Sequence, residues 1–170
     1  MNFSFHSLKF YFCCKYIFSK SFILSILKDK IITIEHVGST SVPGMRAKPI
    51  VDAVVVIDPF VITEHEKQIF KERGYHFSVD VVAKNSVLLE KGLESEKTEN
   101  IHILPKDHFM IKQMVLSRDY LRNHPERVKE YSKLKDELKK EYPDDYKLYR
   151  KGKTSFMDET EELAYKEFGK

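Results

Sequence analysis

The sequence predicts a mixed α/β (α+β) fold: a mixed β-sheet flanked by helices, closed by a C-terminal helical segment. Three observations carry this. Short β-branched runs alternate with helical stretches as far as Leu104. After Pro105 the apolar spacing becomes helical to the end. A chain of 170 residues, 42% hydrophobic and 32% charged, suits one domain with a real core.

Residues 8–28 read as a helix with Phe12, Tyr16, Phe18, Phe22, Ile23, Ile26 and Leu27 near one side. Ile31 to Val37 is short, β-branched and partly alternating, a strand. Gly38 to Pro49, with two Gly and two Pro, is a turn-rich connection. Ile50 to Ile57 is apolar except for Asp52 and reads as a buried central strand. Residues 61–73 look helical and are stopped by Gly74; Tyr75 to Ala83 and Ser86 to Lys91 are strands. Glu94 to Asn100 is a charged loop, and Asn100 to Leu104 a short strand. Residues 108–123 form a helix, and Pro125 suits the first turn of the next. That helix carries Val128, Tyr131, Leu134, Leu138 and Tyr142 on one face, with Glu130–Lys133 and Asp136–Lys139 pairs expected on the other. Pro143-Asp144-Asp145 breaks it, and a last helix starts near Thr154. The organisation is a residue 1–30 N-terminal helix, a 31–104 α/β core and a 105–170 helical region packed as one unit.

Charge is unevenly placed: +4 over residues 1–30, −3 over 31–104, +5 over 105–153 and −3 thereafter. The basic stretch suggests an anionic ligand, against the plainer reading of solvated helix faces. No apolar run approaches a membrane span, so no membrane partner is expected. Lys20 interrupts the apolar start and no cleavage site follows, which argues against a signal peptide. The two cysteines, Cys13 and Cys14, are adjacent, so a disulfide framework is excluded and a cytoplasmic location is expected.

The chemistry lies in EHVGSTSVPGMRAKPIVDAVVVI, Glu35 to Ile57. Gly38 allows a sharp turn, and Ser39, Thr40 and Ser41 offer hydroxyls beside free amides, a cradle for phosphate oxygens. Arg46 and Lys48 add positive charge. Asp52 inside an apolar strand is costly to bury unless paired, hydrogen-bonded or holding a metal. A serine-rich turn followed by a strand acid is the layout of a nucleotide site with Mg2+; a tight turn beside an Asp tied to backbone amides is the other reading.

EHVGSTSVPG followed by AKPIVD resembles the signature of the GrpB-like family (UPF0157-type), some members of which are fused to dephospho-coenzyme A kinase. HILP, RDYLRNHPERVKEYSKLK and YRKGKTSFMDETEELA resemble the family in the expected order, so the likeness covers residues 31–168. Residues 1–30 diverge, since the family's lead-in helix contains a Trp and this chain has none. The resemblance implies a polymerase-beta-like nucleotidyltransferase fold, with Gly38 and Ser39 as its GS turn and Asp52 as its first acid. The second acid position is Val54, and His102 stands where a third acid is expected. Asp52 and His102 are then the catalytic and metal-holding residues, enough for one Mg2+ but not two, with Glu35 and His36 as substitutes.

Arg118 and Arg122 lie four apart on one helix face and suit bidentate phosphate binding, or else ion pairs with Asp119 or Glu126. Lys151 and Lys153 precede a helix and can close over a phosphate, as can Lys135. No Walker A loop, GxGxxG or HExxH is present. The expected partner is a nucleotide or another phosphorylated small molecule, held by Gly38, Ser39, Thr40, Arg46, Lys48, Arg118, Arg122 and Lys153. The activity implied is nucleotidyl transfer. The missing acid at Val54 motivates a non-catalytic binding or regulatory module instead. An RNA-binding helper built on the basic helices is a weaker reading, with no RNA-binding motif to support it.

Overall fold

A computed structural model describes residues 5–92 and 96–169, so the first two residues of the expected loop from Glu94 to Asn100 lie outside the described residues, and its last two belong to a strand. The helices are α1 (Phe5–Leu27), α2 (Glu64–Glu72), α3 (Phe109–Asn123), α4 (Pro125–Glu141), α5 (Tyr146–Gly152) and α6 (Thr154–Phe168). The strands are β1 (Ile31–Val37), β2 (Val51–Ile57), β3 (Tyr75–Val79), β4 (Val87–Lys91) and β5 (Glu99–Pro105).

They form one mixed sheet in the order β1-β2-β5-β4-β3, with β2 and β5 parallel and the other neighbours antiparallel. Side chains alternate between its faces. Ile34, Ala53, Val55, Leu89, Ile101 and Ile103 pack beneath α1 and α2, against Ile23, Leu27 and Phe70. Val37, Val54, Val56 and Leu104 point the other way, against Met110 and Met114 of α3. A third apolar cluster joins the connection after β1 (Val42, Met45) to α3, α4 and α6 through Leu121, Val128, Tyr131 and Phe156.

Several element limits differ from the sequence expectation for local reasons. The Thr63 hydroxyl accepts from Glu66 N while the Glu66 carboxylate accepts from Thr63 N, so α2 begins at Glu64 rather than 61. The strand expected to reach Ala83 ends at Val79, because Asp80 turns left-handed (φ 56°) and its carboxylate accepts from Ser86 N. Residues 146–152 form α5, which the sequence reading missed; Asp145 is a helix cap accepting from Leu148 N at 2.9 Å, not merely a breaker. Phe18, expected on the packed side of α1, is 76% exposed. The pairs expected within α4 are replaced: Glu130 meets Arg127 at 3.3 Å, Asp136 meets Arg46 at 2.7 Å, and Lys133 meets Glu137 at 3.8 Å.

Beneath α1 lies a polar group the sequence did not announce. Glu99, at the start of β5, is buried; it accepts from Ser19 Oγ at 2.7 Å and from the Tyr75 hydroxyl, with Lys91 Nζ at 3.5 Å. The bonds compensate a carboxylate that would otherwise be expensive to hold there.

Candidate ligand site between the sheet and the C-terminal helices

The site is built on the α3 face of β2 and β5. Their parallel register sets Asp52 opposite Asn100 and Val54 opposite His102, all on that face. Asn100 Nδ2 donates to Asp52 Oδ1 at 2.8 Å. Burial pushes the Asp52 carboxyl up to about 6, against the pull of that amide and of Lys153 and Lys97. Burial holds the His102 imidazole down at about 4, so it is neutral at pH 7.

Gly38 covers the carboxylate. Its φ of 69° lies in the left-handed region, and a Cβ there would stand 2.6 Å from Asp52 Oδ2. Glycine is therefore required twice, for the backbone conformation and for the close approach of the acid. Ser39 opens the 3₁₀ turn that follows. Its hydroxyl accepts from Lys135 Nζ at 3.3 Å, and the same ammonium donates to the Arg46 carbonyl. Lys135 is buried, and desolvation together with neighbouring Lys153 lowers it to about 8. Lys153 is itself lowered by burial, Lys48 and Arg150, while Asp52 raises it. The Lys135–Ser39 contact thus lies beside the cavity, and Lys153 is close enough to act electrostatically on both Lys135 and Asp52.

Gly38, Ser39, Asp52, His102 and Arg118 all border one cavity of about 550 Å³ between sheet and helices. The other expected site residues stand outside it. Thr40 Oγ1 lies 3.0 Å from His36 Nε2, and His36 stacks on Tyr16 of α1 across the opposite face of the sheet. Arg46 is paired with Asp136. Lys48 sits over the Tyr146 and Tyr149 rings at 4.9 and 5.7 Å, with Lys153 over Tyr149 at 4.8 Å. Lys151 borders a separate hollow beside Thr154 and Asp158.

The two arginines are struts. Arg118 donates to Glu35 Oε2 at 2.7 Å, to the His36 carbonyl at 3.0 Å and to both Asp119 oxygens at 2.8 and 3.1 Å. Arg122 Nε donates to the Ser41 carbonyl at 3.1 Å. They tie α3 to β1 and to the turn after it, and the Arg118 fork has little capacity left for a ligand.

Among the described residues no three His, Cys, Asp or Glu side chains gather to hold a metal ion. Of the acids that share the sheet face with Asp52, Glu35 is taken by Arg118 and Glu90 by Lys97. One carboxylate already bonded to an amide, beside one imidazole, does not fit a two-ion centre.

Sequence reasoning missed Asn100, although strand alternation from His102 places it on the same face. It also missed Ser117 and Gln113, which border the cavity from α3. Their helical spacing from Met110 and Met114 was legible, but nothing in the sequence said that this stripe faces a hollow.

The family model described as GrpB protein matches residues 14–163. The chain belongs to the GrpB family. It is 33% identical over 139 residues to the UPF0157 protein YqkA of Bacillus subtilis, covering 82% of this chain and 40% of YqkA. It is 30% identical over 144 residues to the glutamate-rich protein GrpB of Alkalihalophilus pseudofirmus, covering 82% and 83%. The chain therefore spans less than half the length of YqkA. The crystal structure of the conserved protein GrpB from Enterococcus faecalis superposes with a TM-score of 0.87 at 28% identity, covering 94% of this chain and 95% of that one. The residues matched by the family model span the whole mixed sheet, the connection that carries Gly38 and Ser39, and the C-terminal helices as far as residue 163. No described helix is long and apolar enough to cross a membrane.

Proposed function

We propose that this GrpB chain binds a phosphorylated small molecule, with the phosphate at the rim formed by Ser39, Lys135 and Lys153. The observation that carries the reading is Lys135: a buried ammonium, crowded by a second lysine and anchored on the Ser39 hydroxyl. Two cations forced together in a partly desolvated place gain most when an anion joins them. Asp52 then faces the phosphate across the rim as a carboxylate that protonates near neutrality.

The resemblance favours a second reading, nucleotidyl transfer with Mg2+ held by Asp52 and His102. One variant separates the two. Calorimetric titration of pyrophosphate and of ATP, with and without Mg2+, is compared between the wild type and Asp52→Asn. If phosphate meets the rim directly, Asp52→Asn removes a repelling charge and tightens binding about tenfold without Mg2+. If Mg2+ bridges the two, the same variant weakens binding and abolishes any product formed from ATP. Lys135→Gln weakens phosphate binding in either case; unchanged affinity in that variant overturns the placement of the phosphate.

A further inference from the structure

Four methionines occur in the described residues, Met45, Met110, Met114 and Met157, and all four border the one cavity. They come from three separate parts of the chain: the connection after β1, α3 and α6. Thioethers are unbranched and polarizable, so a wall made of them adapts to a flat guest and contacts aromatic rings favourably. Phe109, 66% exposed, also lines the cavity.

The polar groups around this interior are mostly spoken for. Arg118 is held by Glu35 and Asp119, and Gln113 Nε2 donates to Glu161 Oε2 at 2.6 Å. Ser117 also borders the cavity, and its buried hydroxyl has no hydrogen-bond partner among the described residues. A buried hydroxyl without a partner is uncommon, and a small rotation about its side chain would offer it to a molecule in the cavity. The cavity, about 550 Å³, is of the size of small-molecule pockets.

We infer that this thioether-lined interior receives the uncharged aromatic body of the ligand, with Ser117 hydrogen-bonding a polar substituent on it. The inference rests on the proposed phosphate rim for the ligand's other end. Together they define a phosphorylated aromatic compound lying from Ser39 toward Met157. A multiply charged body suits the walls less, because among the described residues the charged groups lining the interior are already hydrogen-bonded: Arg118 to Glu35 and Asp119, Glu161 to Gln113, and Asp52 to Asn100.

The test labels the full chain with [methyl-13C]methionine, the signals being assigned by single Met→Leu variants, and titrates it with phenyl phosphate, methyl phosphate and phenol. Phenyl phosphate is expected to bind about tenfold more tightly than methyl phosphate and to move the four interior methyl signals upfield through ring currents. Ser117→Leu, which removes the hydroxyl and narrows the cavity, lowers the preference for phenyl phosphate over methyl phosphate. The wild-type comparison decides the matter by itself if this variant does not fold. Equal affinity for the two esters with unmoved interior methyls overturns the inference and leaves the phosphate rim intact. Phenol moving those methyls, while neither ester binds better than phenol, keeps the aromatic site and overturns the rim.

Discussion

Gly38 and Asp52 depend on each other at the scale of single atoms. Replacing Gly38 by Ala brings a Cβ to 2.6 Å from the Asp52 carboxylate at a φ of 69°. The substitution should cost about 2–4 kcal/mol, read as a lowered urea midpoint at constant m. Titration of the buried groups gives the fold a signed pH dependence. His36 and His102 both sit near 4, below their ordinary value near 6.5, so the unfolded chain takes up protons first. Their contribution is full above pH 6.5 and lost as pH falls toward 4. Asp52 acts in the opposite sense: raised to about 6, it destabilises the fold when ionised, and this penalty disappears as pH falls below its ordinary value near 3.8. Two histidines against one acid predict a net loss of stability between pH 6.5 and 4.5. The double variant His36→Gln, His102→Gln should flatten or reverse the slope in urea titrations at a series of pH values. Lys135 offers a contrast between stability and binding. Its ammonium is held at a depressed value by burial but also bonds the Ser39 hydroxyl and the Arg46 carbonyl, so in Lys135→Met the relief of burying a charge offsets the lost hydrogen bonds: stability at pH 7 should change by less than about 2 kcal/mol while phosphate binding weakens. A thermal melt and a calorimetric titration of the same sample check both halves.

Among the elements, the strands were the most legible. β1 falls where its β-branched run lies, and β2 begins one residue later than expected, because each is a short apolar segment between strong turn signals. α5 was hidden because a Pro-Asp-Asp sequence serves equally as the end of one helix and the cap of the next. The site was legible in part. Gly38, Ser39, Asp52 and His102 share a cavity, as loop and strand logic suggested. That Arg118 and Arg122 brace α3 was not legible, since a helix face shows where a guanidinium points but not whether a carboxylate and a carbonyl meet it there. Arg118 bridges α3 to β1 through Glu35 and the His36 carbonyl. Arg118→Met should therefore cost about 2–4 kcal/mol and loosen α3, because it leaves Glu35 and a backbone carbonyl unpaired. Amide hydrogen exchange should report faster exchange in α3 than in α2, which does not share the contact. Equal protection in both helices would show that the strut carries no energy.

Across the whole molecule the sheet is a partition. α1 and α2 close one face with aliphatic and aromatic side chains; the later helices cover the other but leave the cavity beneath them. β5 runs between the two territories with opposite polar markings. Glu99 faces Ser19 and Tyr75 under α1, while Asn100 and His102 lie on the other face, Asn100 against Asp52 and His102 against the cavity. Moving that strand by a single residue against β2 would turn all three toward the wrong side. The carboxylate would lose both hydroxyls, the amide would lose Asp52, and Ile101 and Ile103 would be thrust among polar neighbours. Misaligned pairings are therefore penalised on both sides of the sheet at once. The same few atoms that furnish a binding surface also proofread the assembly of the chain that bears it.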